Sequence, residues 1–93
     1  MNLTLVEEIP LRKLDQELAE KLVAQLSPQE LKVSWCIVLG YGRRQIASKL
    51  KLADKTVDVY LARIKLKLGI SVTHAVPLIL IMARGYAWPN ELL

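Results

Sequence analysis

The sequence contains one cysteine, Cys36, and one histidine, His74, so it has few of the side chains that build metal centres and many catalytic sites. A single cysteine excludes an internal disulfide framework and a cysteine-rich zinc site. The longest apolar run, residues 75–83, is far shorter than the roughly 20 residues of a membrane helix. The first ten residues lack the basic start of a signal peptide. We therefore expect a soluble, cytoplasmic protein that is not an enzyme and uses no metal or cofactor.

Basic residues are concentrated in the middle of the chain. Residues 32–69 hold nine Lys and Arg against two Asp, whereas residues 1–31 hold three basic and six acidic side chains. A block with a net charge of +7 in so small a domain is typical of a protein that binds a polyanion. The alternative is a solvated lysine-rich surface without a ligand, and charge alone leaves both interpretations open.

Apolar periodicity predicts helices throughout and no strands. An amphipathic helix is expected over residues 8–25, with leucines at 11, 14, 18 and 22 on one face. We expect this face to cover Leu31 and Trp35, and its partner lies either within the domain or across a dimer. The next helix should begin at Ser27 and Pro28, with Glu30 completing a capping box, and should end at Gly40. Cys36 is expected in the core.

Two further helices are predicted at residues 43–50 and 54–68, with a three-residue turn between them and Gly69 after the second. A last helix should run from Thr73, capped by that hydroxyl, to Arg84. A short helix, a tight turn and a longer helix form the layout of a helix-turn-helix, in which the second helix enters the major groove of DNA. On spacing alone this pattern is weak, because many small helical domains contain such a pair.

Particular residues make the pattern more specific. The segments Leu26-Ser27-Pro28-Gln29-Glu30, Gly40-Tyr41, Gln45-Ile46-Ala47, Lys55-Thr56-Val57 and Lys67-Leu68-Gly69 occur in the order found in the LuxR-type, or GerE-like, helix-turn-helix. The resemblance covers roughly residues 26–86. It implies a four-helix domain of a bacterial transcriptional regulator that binds double-stranded DNA, usually as a homodimer. Residues 26–93 would form this domain, and residues 1–25 an additional N-terminal helix packed on it.

The resemblance also implies which side chains would face DNA. The candidate base-facing residues are Asp58, Val59, Ala62 and Arg63. The candidate phosphate contacts are Arg43, Arg44, Lys55, Thr56, Lys65 and Lys67. Asp can accept a hydrogen bond from cytosine N4, and Val or Ala can pack on a thymine methyl group.

Several positions of the recognition helix depart from the family pattern. Asp58, Leu61, Ala62 and Leu66 stand where the family often has basic residues. Ala53 replaces the usual hydroxyl cap, which leaves Asp54 as the only candidate cap. Fewer cations mean less counterion release and weaker DNA binding. An alternative function is therefore a protein-interaction module, such as an antiactivator that binds another transcriptional regulator and has weak or no DNA binding.

The last predicted helix is apolar around its whole circumference. One side should pack on the core through Val76 and Leu80. The remaining side chains, Leu78, Ile79 and Met82, should meet either the N-terminal leucines or a second subunit. We expect a dimer interface there, because the resemblance implies a dimer and paired recognition helices require one.

Overall fold

The computed structural model describes residues 15–84, with only the backbone described for Arg84. Within this part of the chain the structure is all-helical and contains no strand. The helices are α1 (Gln16–Val23), α2 (Pro28–Val38), α3 (Arg43–Leu50), α4 (Asp54–Leu68) and α5 (Val76–Arg84). A short 3₁₀ turn, Thr73–Ala75, leads into α5. The predicted fold class is confirmed.

The N-terminal helix is shorter than its leucine spacing predicted. Asp15 is extended, and its carboxylate accepts a hydrogen bond from the Leu18 N–H at 2.8 Å, so α1 begins at Gln16 and not near residue 8. The predicted residues Leu11 and Leu14 lie outside the described part. α1 packs mainly on α5 and buries Ala19 and Val23 against the core.

Local signals set the ends of the next three helices. The Ser27 hydroxyl accepts from the Glu30 N–H and the Glu30 carboxylate accepts from the Ser27 N–H, which is the predicted capping box of α2. α2 ends before Gly40, which adopts a φ of 86°, and α4 ends at Gly69, with a φ of 71°. Lys51 ends α3 in the same left-handed conformation, which a lysine adopts at a cost.

The start of the last helix differs from the prediction. The Thr73 hydroxyl does not cap it; the chain enters through the 3₁₀ turn after an extended Val72 that offers no side-chain cap. Pro77 occupies the first turn of α5, where its missing N–H removes no helix hydrogen bond.

The core forms where α5 packs on α1 and α2, and where α4 packs on α2 and α3. Its largest buried side chains include Trp35, Ile64, Leu68, Ile79 and Leu80. Cys36 is also buried there, and burial raises the pKa of its thiol despite the nearby charge of Lys49.

The helix α1 packs on α5 and, less extensively, on α4, and not mainly on α2 as predicted; Leu31 lines an open groove with Val23 of α1 and Ala83 of α5. Over residues 15–84 no single helix has the length and apolar composition of a membrane span, although α4 together with residues 73–83, bent by 58°, passes that test as a pair.

Candidate nucleic-acid interface

Helices α3 and α4 form a helix-turn-helix with the predicted bounds. Three residues, 51–53, join them, and the Leu52 N–H donates to the Ala47 carbonyl at 2.8 Å, which fixes the turn. Ile46 and Ala47 of α3 and Val57 of α4 are buried where the pair packs on the core. The opposite face of α4 is therefore free to contact a ligand.

One row of α4 side chains is exposed along the whole helix. These residues follow steps of three and four, which places them on one face. The row consists of Lys55, Asp58, Val59, Ala62, Arg63 and Leu66. All four residues predicted to face bases belong to this row. Leu66 is the more exposed of its two large apolar members, at 82% against 48% for Val59.

The N-cap residues of both helices in this motif, Gly42 of α3 and Ala53 of α4, make no side-chain cap hydrogen bond, in contrast to those of α1 and α2. At α3 the Gln45 side chain accepts from the Gly42 N–H at 2.8 Å, which satisfies that one N–H. Asp54 therefore does not supply the cap that was predicted for α4. The first N–H groups of an α-helix have no partner within the helix and carry partial positive charge. These two N-termini can thus donate hydrogen bonds to an anion such as phosphate.

Basic side chains lie beside these helix starts. Arg43 and Arg44 are the first two residues of α3, and Lys55 is the second residue of α4; all three are exposed. Thr56, the next residue of α4, is half-buried. The N-terminus of a helix carries partial positive charge, which is the sign of the two adjacent arginines. The helix dipole and the arginines therefore add to the positive potential at this site.

Two ion pairs link α3 to α4. Arg43 Nη1 donates to Asp58 Oδ2 at 2.8 Å, and Arg44 Nε lies 3.9 Å from Asp54 Oδ2. The Arg43 and Asp58 side chains are 50% and 49% exposed, so both remain accessible although they are paired. The sequence predicted both residues for the DNA-facing surface but did not predict the hydrogen bond between them. The pairing offsets the negative charge of Asp58, which alone would repel DNA phosphates.

Lys67 lies apart from the exposed row. Its ammonium contacts Glu30 Oε1 at 2.7 Å, and the Glu30 side chain is only 3% exposed. Burial raises the pKa of Glu30, but the Lys67 hydrogen bond and charge, together with the Ser27 N–H, outweigh it and hold that pKa below its ordinary value. Lys67 thus joins the end of α4 to the start of α2. Its ammonium group is directed to Glu30 and is not part of the exposed row.

Lys65, another predicted phosphate contact, lines an open groove on the side of α4. The α2–α3 turn and the segment before α5 complete the groove, through Tyr41, Ser71 and His74 among others. Lys65 is half-buried and makes no ion pair within residues 15–84.

The residues predicted for a dimer interface separate into three environments. Ile79 is 1% exposed within the single chain, so the prediction that it offers interface surface is wrong: it belongs to the core. Met82 is half-buried and packs against that core. Leu78 is 40% exposed and is the member available to a second subunit. The helix α1 packs on α5 and covers part of its apolar surface. This agrees with the predicted alternative in which the N-terminal helix, and not a second subunit, meets α5.

Comparison with known proteins identifies the family of this domain. The family model described as "Bacterial regulatory proteins, luxR family" matches residues 24–81, which is 58 of the 93 residues. No curated protein and no solved structure gave a significant match. The matched range runs from the end of α1 into α5 and contains the entire α3–α4 surface.

Proposed function

This chain belongs to the luxR family of bacterial regulatory proteins, and we propose that it is a small transcriptional regulator whose α3–α4 surface binds double-stranded DNA. The observation that carries the proposal is the exposed row of α4 beside two helix N-termini whose N-cap residues supply no side-chain cap, with the arginines of α3 next to them. In a helix-turn-helix the second helix lies in the major groove and the first crosses the backbone. Such a regulator acts in the bacterial cytoplasm.

Within this proposal Arg44, Lys55 and Thr56 bind phosphates, because they lie in the first turns of α3 and α4. Val59, Ala62 and Arg63 face base edges from the exposed row. Lys65 would reach the backbone only from the side of α4. Lys67 contributes through the orientation of α4 and not through DNA, because its ammonium is held by Glu30.

A salt titration on duplex DNA tests this function. A protein that neutralises phosphates releases counterions, so its affinity falls linearly on a log–log plot against salt. Arg44→Gln and Lys55→Gln should each weaken binding to all sequences and lower the slope by about one unit. Lys21→Gln is the matched control, since it removes the same charge from an exposed residue of α1, outside the α3–α4 pair. Absence of duplex binding by the wild type at low salt would refute the proposal.

We further propose that two copies bind DNA as a two-fold dimer through the exposed part of α5 around Leu78. Half-sites of such regulators lie about 34 Å apart, one turn of DNA. The described part of the protomer measures 38 × 28 × 20 Å, so two adjacent copies are of the size needed to span that distance. A wild type that sediments as a monomer at high concentration would contradict the dimer.

A second candidate function is binding to another transcriptional regulator. It is favoured by the paired, neutralised Asp58 and by Leu66, which is 82% exposed on the same row. Large apolar side chains in a mixed, weakly charged face are typical of protein interfaces. The salt titration separates the two functions, because a protein-binding module would show little duplex binding even at low salt.

A further inference from the structure

We propose that Arg43 and Asp58 act as one base-reading unit, in which Arg43 holds the Asp58 carboxylate and its second oxygen accepts a hydrogen bond from the amino group of a cytosine. This inference rests on the proposed function, since it concerns what the α3–α4 surface reads in DNA. It assigns Arg43 a positioning role in place of a simple phosphate contact.

The position of Asp58 suits base recognition. It is the fifth residue of α4 and lies on the exposed row, and the N-terminal part of a recognition helix is the part that reaches base edges. Only Oδ2 is bonded to Arg43, at 2.8 Å. Within residues 15–84 the other oxygen, Oδ1, makes no hydrogen bond. Asp58 therefore presents a free acceptor at the place where the groove floor would lie.

Arg43 reduces the electrostatic repulsion between the Asp58 carboxylate and DNA phosphates. A lone carboxylate beside DNA phosphates is repelled, but the guanidinium from the neighbouring helix makes the pair neutral. The carboxylate keeps its remaining lone pairs, because two oxygens together offer about four acceptor sites. Arg43 also restricts the side-chain rotation of Asp58 before DNA arrives, which lowers the entropy lost on binding.

The chemistry of the free oxygen selects the base. In the major groove cytosine presents its N4 amino donor, whereas guanine presents the two acceptors N7 and O6, which repel a carboxylate. Adenine presents an amino donor next to the acceptor N7, and thymine presents an acceptor and a methyl group. Cytosine is thus the base that offers a donor without an adjacent acceptor, and we expect a cytosine opposite Asp58.

Base preference measured by competition over duplexes that vary at each position tests this unit. Asp58→Ala and Arg43→Gln should both lose, by on the order of tenfold, the cytosine preference at the same single base pair. Arg44→Gln is the matched control: it removes the adjacent arginine, whose side chain is 89% exposed, and should weaken all duplexes equally. Asp58→Asn should move the preference at that base pair from cytosine to adenine, because an amide can pair with N6 and N7.

A double variant separates positioning from independent contact. In the Asp58→Ala background, Arg43→Gln should change no base preference further, because the carboxylate that Arg43 holds is already gone. Thermal unfolding by circular dichroism checks that each variant folds, as expected for two half-exposed side chains.

The outcomes distinguish this inference from the proposed function. If Arg43→Gln weakens all duplexes equally, as Arg44→Gln does, Arg43 is a phosphate contact only and the unit is wrong. If the wild type binds duplexes with steep salt dependence but Asp58→Ala changes no base preference, the unit is wrong and DNA binding stands. If the wild type binds no duplex at low salt, both proposals fail.

Discussion

The contact between Glu30 and Lys67 makes a sharp prediction about stability. Lys67→Met keeps most of the side-chain stem and removes the ammonium. Glu30 would then stay 3% exposed, with its carboxylate held by the Ser27 N–H and without a counter-charge. Breaking one side of a fully buried ion pair costs about 3–5 kcal/mol, because a buried charge is left uncompensated.

The expected cost here is smaller, because the Lys67 side chain is 35% exposed and water can approach the pair. We therefore expect Lys67→Met to lower the free energy of unfolding by about 2 kcal/mol at neutral pH. In a domain of this size that corresponds to a fall in Tm of roughly 8–16 °C. Glu30→Gln combined with Lys67→Met should be more stable than Lys67→Met alone, since no charge is then buried.

The sign of the pH dependence follows from the pKa of Glu30. That pKa is lowered in the folded protein, mainly by Lys67 and the Ser27 N–H acting against burial. The pair therefore contributes stability above the ordinary glutamate value of 4.5 and loses it as the pH falls through the lower, folded value. The deficit of Lys67→Met should be largest near neutral pH and should shrink below about pH 4.5, where Glu30 takes up a proton.

Urea unfolding followed by circular dichroism, at several pH values between 7 and 3.5, measures these differences. Lys65→Met is the matched control: it removes a lysine from the same helix that has no ion pair within residues 15–84, and should change stability by less than about 0.5 kcal/mol. The reasoning is refuted if Lys67→Met is as stable as the wild type at pH 7, or if its deficit is the same at pH 4 as at pH 7.

Four other substitutions test the surface, the core and the turn. Leu78→Glu should convert a dimer into a folded monomer in sedimentation, whereas Ile79→Glu should unfold the chain, because Ile79 is 1% exposed; a folded Ile79→Glu variant would contradict that burial. Leu66→Lys should leave Tm unchanged and steepen the salt dependence of duplex binding by about one unit, and an unchanged slope would place Leu66 away from DNA. Lys51→Gly should raise the free energy of unfolding by about 0.5 kcal/mol, since the residue has a φ of 57°; a loss of stability would count against that conformation.

Local sequence determined most of the helix bounds. Ser27, Pro28 and Glu30 define the start of α2, and Gly69 defines the end of α4, because caps and left-handed terminators act within a few residues of the helix end. The same local order of motifs gave the family, which the match over residues 24–81 confirms. The exposed row of α4 also follows from the sequence, because helical periodicity separates Asp58, Val59 and Ala62 from the buried Val57 and Ile64.

Competing local signals explain why the predicted starts of α1 and α5 were wrong. Leucine spacing suggested a helix from residue 8, but Asp15 is a strong cap that begins α1 at Gln16. Thr73 had the chemistry of a cap, yet the chain enters α5 through a 3₁₀ turn without using it.

Tertiary structure decided which polar side chains meet. Lys67 and Glu30 are 37 residues apart and Arg43 and Asp58 are 15 apart, so no periodicity connects them; packing of α4 on α2 and α3 brings them together. It likewise decided that Ile79 is core while Leu78 is exposed, because an all-apolar helix carries no pattern that marks its inner side. A short-range signal fixes where a helix starts and stops, but the partner of each charge depends on how whole helices pack.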